Sequence, residues 1–257
     1  MRWALILIAA VVAGTTRIPV PGDEAWHGSY ADFEPPALCA QCAGPRAFAV
    51  LGGEPWFLLS DRLVKGDGTS LRLPSPGVDL AAGPGGLWVL CQEHLAHVEG
   101  SELMLQETRW QGTPLELSGD GAVMSTEGVD GAPLGEGQQS PWGAGLGLAE
   151  ANGSWSAAWP GHDPLALPGV HIVDARPVGL LGSGEWVLAL TDSRDGSAPD
   201  AVRFVAVSPG SLRPLAHGPP NGDLDVRPRR HYAVDPLDGG VYTLVVLDDD
   251  RMSLRRY

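Results

Sequence analysis

The sequence predicts an all-β protein: a β-propeller of six blades, each of about four antiparallel strands, closed by a strand from the N-terminal region. Three observations carry the prediction. The chain has 35 Gly and 23 Pro among 257 residues, about twice the ordinary combined usage of roughly 12%, and both residues interrupt helices. Nine Trp stand against four Phe and four Tyr, a usage suited to large rings inserted between sheets. Six short apolar runs each lead through a Gly-containing turn into a second run that opens with a large residue, a self-similarity that organises most of the chain. With 44% hydrophobic and 19% charged residues, the chain can bury a sizeable core.

Residues 1–14 read as an export signal. A single Arg2 precedes the apolar run Trp3-Ala4-Leu5-Ile6-Leu7-Ile8-Ala9-Ala10-Val11-Val12-Ala13. That run is short for a membrane span, and Val11-Val12-Ala13 offers a small-residue cleavage site. A buried first strand and a retained anchor are the alternatives. Export makes the expected location extracytoplasmic, periplasmic or secreted, with no membrane span once the signal is removed.

Residues 15–45 form an extended segment that holds Cys39-Ala40-Gln41-Cys42. No second Cys pair or close His pair completes a zinc site, Ala43 stands where heme attachment needs His, and Pro35-Pro36 and Gly44-Pro45 leave no helix for a thioredoxin-like dithiol. A local Cys39–Cys42 disulfide is the expectation, with unpaired thiols and redox or metal chemistry as alternatives. Cys91 reads as a buried strand residue.

Residues 46–257 carry the repeat. The second run of each unit opens at Trp56, Trp88, Val123, Trp155, Trp186 and Tyr242, separated by 32, 35, 32, 31 and 56 residues. A Gly stands two residues before the large one in five units, at Gly86, Gly121, Gly153, Gly184 and Gly240; in the first it is Gly53. Gly supplies the positive φ of tight antiparallel turns, and Asp120-Gly121, Asn152-Gly153 and Asp238-Gly239 are strong hairpin dipeptides. In the second unit the strands are expected near 78–82, 87–91, 94–98 and 102–107; in the fifth, near 178–181, 186–190, 201–207 and 211–216. The long last interval absorbs two loop-like stretches, 192–199 and 218–222. Only three strands remain for the sixth unit, so a fourth is expected from between Thr15 and Phe33.

At Gly83-Pro84-Gly85-Gly86-Leu87-Trp88-Val89-Leu90 and Gly182-Ser183-Gly184-Glu185-Trp186-Val187-Leu188, echoed by Gly239-Gly240-Val241-Tyr242, the chain resembles bacterial NHL-like and streptogramin-lyase-like propellers. The resemblance implies blade architecture over residues 46–257. For activity it is nearly silent, since such propellers include lyases, lactonases and non-enzymatic binding proteins.

Chemistry is sparse. The net charge of −14 and a basic cluster, Arg227, Arg229 and Arg230, that sits beside Asp223 and Asp225 remove nucleic acid from the expected partners. Nucleophile elbows, phosphate loops and zinc-protease helices are absent as motifs. His94 and His97 fall on opposite faces of an expected strand, which sets them apart as ligands. The acids Asp79, Glu116, Asp174 and Asp235 lie in or near the first strand of a unit. That strand lines a propeller's channel; the leading reading is that these acids accept backbone hydrogen bonds at strand ends or face solvent, and the alternative is that they are candidate ligands for a divalent cation such as calcium. Trp110, Trp142 and Trp159 fall outside the repeat position and are the candidate exposed rings of a binding surface. The leading expectation is a monomeric, non-enzymatic module that binds a protein or glycan without a cofactor. The alternative is a metal-dependent propeller lactonase or lyase.

Overall fold

A computed structural model describes residues 31–33, 45–134, 140–143, 145–169, 172–193, 201–218, 232–246 and 252–256. The expected export signal and the Cys39/Cys42 pair lie outside them. The described chain is all-β. Its strands make six small antiparallel sheets, and the helical element among the described residues is a single 3-10 turn, Pro141–Gly143.

β1 (Ala31–Phe33) stands apart from the strands that follow it in sequence. The first sheet runs β2 (Ala47–Leu51), β3 (Glu54–Leu58), β4 (Arg62–Lys65) and β5 (Ser70–Arg72), and the second β6 (Gly77–Gly83), β7 (Gly86–Cys91), β8 (Leu95–Glu99) and β9 (Glu102–Gln106). The third has β10 (Pro114–Leu117), β11 (Val123–Ser125) and β12 (Gly128–Val129), and the fourth β13 (Gly147–Ala151), β14 (Ser154–Ala158) and β15 (Leu165–Ala166). The fifth holds β16 (Ile172–Leu180), β17 (Trp186–Asp192), β18 (Ala201–Ser208) and β19 (Ser211–Gly218). The last contains β20 (Tyr232–Val234), β21 (Val241–Val246) and β22 (Met252–Arg256), with β1 beside β22.

The second and fifth sheets follow the strand positions expected from the repeat to within a few residues, except that β16 begins earlier. The third and fourth sheets depart from the expectation of about four strands, with three each among the described residues. Their strands are also short: β11 has three residues before the Thr126-Glu127 turn, and β12 and β15 have two each. Completion of the last sheet from the N-terminal region holds, because Ala31, Asp32 and Phe33 pair antiparallel with Arg256, Arg255 and Leu254.

The turn glycines behave as their spacing requires. Gly53, Gly86, Gly121, Gly153 and Gly184 all have φ between 76° and 115°, and in the last unit the left-handed position moves one residue back to Gly239 (φ 75°). Asn152 (φ 54°) and Gly153 (φ 76°) are both left-handed, the signature of a type I′ turn whose twist matches the strands it joins.

The core lies between sheets. Ala47, Ala49, Trp56 and Leu58 of the first sheet are buried with Leu80, Ala82, Leu87 and Val89 of the second. Ala81, Leu90 and Leu95 of the second meet Leu117 and Val123 of the third. Ala157 of the fourth meets Leu188 and Val205 of the fifth, and Val187 and Phe204 of the fifth meet Tyr232 and Val241 of the last. Phe48, Val50 and Phe57 of the first sheet pack with Ala233, Tyr242 and Leu244 of the last, so the end of the chain is buried against its beginning. Strands β6 and β7 of the second sheet and β17 of the fifth are buried over most of their length, and they read as apolar runs.

Candidate functional site

The first strands of four sheets line one small cavity. Phe48 and Ala49 of β2, Leu80, Ala81 and Ala82 of β6, Val178 of β16, and Tyr232, Ala233 and Val234 of β20 line a cavity of about 10 Å³ together with Trp142, room for about one water molecule. Trp142 arrives from the Pro141–Gly143 turn, which contacts β10 and β16. A Cβ on Gly119 would lie 2.6 Å from Cη2 of that indole, so a glycine at 119 is what admits the ring. The cavity lining is mostly apolar.

This placement corrects the expectation for Trp110, Trp142 and Trp159. Their relative exposures are 8%, 3% and 6%, so none offers a ring face to a ligand. Trp110 packs with Leu95 and Leu117, and Trp159 lies 5.8 Å from Trp186, centroid to centroid. Segments outside the repeat fill the space that the three-strand sheets leave open, and a large ring is the residue that fills it. Among the described Trp residues, those with exposed surface stand instead at repeat positions, Trp88, Trp155 and Trp186.

The four candidate ligand acids do not assemble. Asp79 is buried on β6; its Oδ1 accepts the N–H of Leu80 and its Oδ2 that of Leu117 on β10, both at 2.8 Å. Asp235 follows β20; its Oδ2 accepts the N–H of Gly53 at 2.6 Å and its Oδ1 that of Leu237 at 3.0 Å. Asp174 pairs with Arg176 at 2.7 Å, and Glu116 is half-buried on β10 opposite Met124. Among the described residues no three His, Cys, Asp or Glu side chains are grouped to hold a metal ion. Asp79 and Asp235 instead tie neighbouring sheets together: the first joins the second sheet to the third, the other the last to the first.

The turn side of the sheets carries a recurring polar set built on the repeat anchors. Trp56 is paired across the strands with Lys65, whose Nζ stands 5.7 Å from the indole centroid and 2.8 Å from Glu54. Trp88 is paired with His97, whose ring lies 4.7 Å from the indole, with Nε2 2.9 Å from Gly85 O and Nδ1 3.5 Å from Glu99. Tyr242 is paired with Arg256, which sits 5.7 Å from the phenol ring and bonds Asp238 at 2.5 Å. Beside Trp186, Arg213 donates twice to Glu185, each bond 3.0 Å. In the first, second and last of these units the basic side chain stands on the third strand directly opposite the aromatic anchor, while in the fifth it comes from the fourth strand, and the acid sits at a different position in each. The Glu54 hydrogen bond, opposed by desolvation, raises the Lys65 ammonium above the usual lysine pKa. Arg213, followed by the Ser183 hydroxyl, holds the Glu185 carboxyl below the usual glutamate value.

One buried ion pair lies away from this rim. Arg203 on β18 is fully buried and bonds Asp192 through Nε at 2.5 Å and Nη2 at 2.8 Å, and it also donates to Pro168 O. It pins the segment after β15 onto the fifth sheet. Cys91 is buried at the end of β7, as the sequence suggests, and desolvation pushes its thiol up to about 11.

A membrane-spanning helix is not found among the described residues, in the sense that none is long and apolar enough to cross. A scan against protein-family models finds no match for the chain, and a search of curated proteins finds none either.

Proposed function

We propose that the chain is an exported six-bladed β-propeller that binds a protein or glycan on its surface and is not an enzyme. What supports the propeller is the packing: the first sheet shares a buried cluster with the second, the second with the third, the fourth with the fifth and the fifth with the last, and the last sheet packs on the first. The Gly-x-Leu-Trp-Val turns, which resemble those of NHL-like and streptogramin-lyase-like propellers, agree with it. Export rests on the apolar run of residues 1–14.

The observation that carries the binding reading is the filled axis. Trp142, Tyr232 and Phe48 occupy the place where a propeller enzyme would hold its substrate, leaving about 10 Å³. A ligand larger than a water molecule does not fit this cavity, and the outer surfaces offer half-exposed indoles and ordered charges. The alternative reading, a metal-dependent lactonase or lyase using a divalent cation such as calcium, needs carboxylates free at one mouth of the axis. Asp79 and Asp235 already accept backbone amides.

The test is a comparison on the full mature chain: binding to immobilised glycans and to exported proteins, and hydrolysis of a lactone panel, each with and without chelator. Saturable binding indifferent to chelator is expected. Lactone turnover that chelation abolishes and calcium restores would overturn the proposal.

A further inference from the structure

The outer edges of the six sheets are not alike. β5, β12, β15 and β1 are two or three residues long, and β19 contains Pro214 and a register shift against β18 at Phe204/Val205. Short strands, proline and bulges are the usual protections of a sheet edge against further pairing. β9 has none of them: Glu102-Leu103-Met104-Leu105-Gln106 is five residues without Gly or Pro, paired in unbroken register with β8, with its other side open among the described residues. Met104 and Leu105 are 42% and 55% exposed. Two consecutive large apolar residues on an open edge are a liability unless something covers them.

The register says which backbone groups are offered. Cys91 N donates to His94 O across the β7–β8 turn, so alternate residues Ala96 and Val98 face β7 and Leu95, His97 and Glu99 face β9. Their partners Gln106, Met104 and Glu102 turn their backbone groups inward, which leaves the N–H and C=O of Leu103 and Leu105 pointing outward. Side chains alternate the other way: Met104 shares the face of His97 and Trp88, while Leu105 shares that of Ala96.

Charge selects the occupant. Glu102 stands directly opposite Glu99, a like-charge pair that disfavours the bare hairpin, and exposed Glu107 follows the strand. Glu102 has no cationic partner among the described residues. A second copy of a chain with net charge −14 brings more acid to the same place.

We propose that β9 is a docking edge for an extended, basic segment of a partner protein, which adds as an antiparallel strand. Resting on the binding-module reading, this names its partner class: apolar residues opposite Leu105 and Met104 and, two positions further along, a Lys or Arg opposite Glu102.

The experiment measures fluorescence anisotropy of a labelled peptide, Thr-Val-Ile-Thr-Lys-Thr-Lys, on the full mature chain, against the same peptide with Glu in place of both Lys. The basic peptide should bind saturably and the acidic one at least roughly tenfold more weakly. Leu105→Pro removes an outward donor but no bond to β8 and should cost roughly tenfold or more. Glu102→Lys, which leaves the backbone unchanged, should reverse the preference between the two peptides and keeps the test valid if the proline variant fails to fold. Absence of saturable binding, or binding indifferent to both substitutions, would overturn the docking edge. So would self-association in sedimentation that Leu105→Pro abolishes, which would assign β9 to a second copy. Capture of a partner protein equally by wild type and both variants would overturn the edge while leaving the binding-module reading intact.

Discussion

The carboxylate of Asp79 on β6 accepts the backbone N–H of Leu117 on β10 at 2.8 Å, a hydrogen bond between the inner strands of two different sheets. With Oδ1 on Leu80 N, both oxygens serve as acceptors in a buried site. Asp79→Asn replaces one acceptor with an NH2 that faces an N–H. Stability should fall by about 1–3 kcal/mol, read as a lower midpoint in urea denaturation with unchanged slope, and added calcium should not alter the difference. Calcium-dependent stabilisation of wild type that the variant lacks would instead make Asp79 a metal ligand.

Gly121 lies against the indole of Trp88 in the preceding sheet. A Cβ there would sit 3.1 Å from the ring, and its φ is +86°. Gly121→Ala therefore combines backbone strain with a contact that must give, and should cost about 1–3 kcal/mol. Gly153→Ala, with nothing within 4 Å of the new Cβ and φ +76°, carries the strain alone and should cost less. Thermal melts of the two variants make the comparison, with a shift of Trp emission expected only for the first.

Burial pushes the Cys91 thiol up from 9.0 to about 11. The folded protein should resist alkylation by iodoacetamide at pH 8 and react once denatured. Because the folded pKa is the higher one, the folded state holds the proton more tightly between the two values. Stability from this group is thus fully present below pH 9 and declines as pH rises through about 11. Cys91→Ser should flatten that decline, measured by denaturation between pH 8 and 11.

Lys65 is the chain's single lysine, and Glu54 raises its ammonium pKa. A smaller fraction is then the nucleophilic free amine at pH 8.5 than for an unpaired lysine. Glu54→Gln should speed acylation of Lys65 by an amine-reactive ester a few-fold, monitored by peptide mass spectrometry. Equal rates would show that the rim pairing does not persist in solution.

The periodic parts of the fold were legible in the sequence. The Gly-to-anchor spacing located the turns before Trp88, Val123, Trp155 and Trp186, and the shortage of strands in the sixth unit pointed to an N-terminal supplement, found at β1. The exposure of the rings was not legible. Trp142 and Trp159 sit in connecting segments with no periodicity, so nothing local says whether such a ring fills a gap or faces solvent; Gly119, which makes room for Trp142, is far away in sequence. For the acids, the leading expectation of backbone hydrogen bonding holds at Asp79 and Asp235, but their partners were not legible. Period-two alternation assigns Asp79 and Asp235 to a face, while beside the local amides of Leu80 and Leu237 they accept amides 38 and 182 positions away. The edge β9 became visible only when its pairing could be compared with the other outer strands.

The packing of the last sheet on the first, through Phe48, Val50 and Phe57 with Ala233, Tyr242 and Leu244, is accompanied by one bond that can be watched directly. Gly53 is exposed at the tip of the β2–β3 hairpin, yet its N–H is held by Asp235 Oδ2 at 2.6 Å. Amide hydrogen exchange at Gly53, followed by NMR, should be slowed by orders of magnitude relative to an unstructured glycine, and Asp235→Ala should release it. Exchange of Gly53 at the free-chain rate in the wild type would contradict the docking of the last sheet on the first, on which the proposed propeller depends.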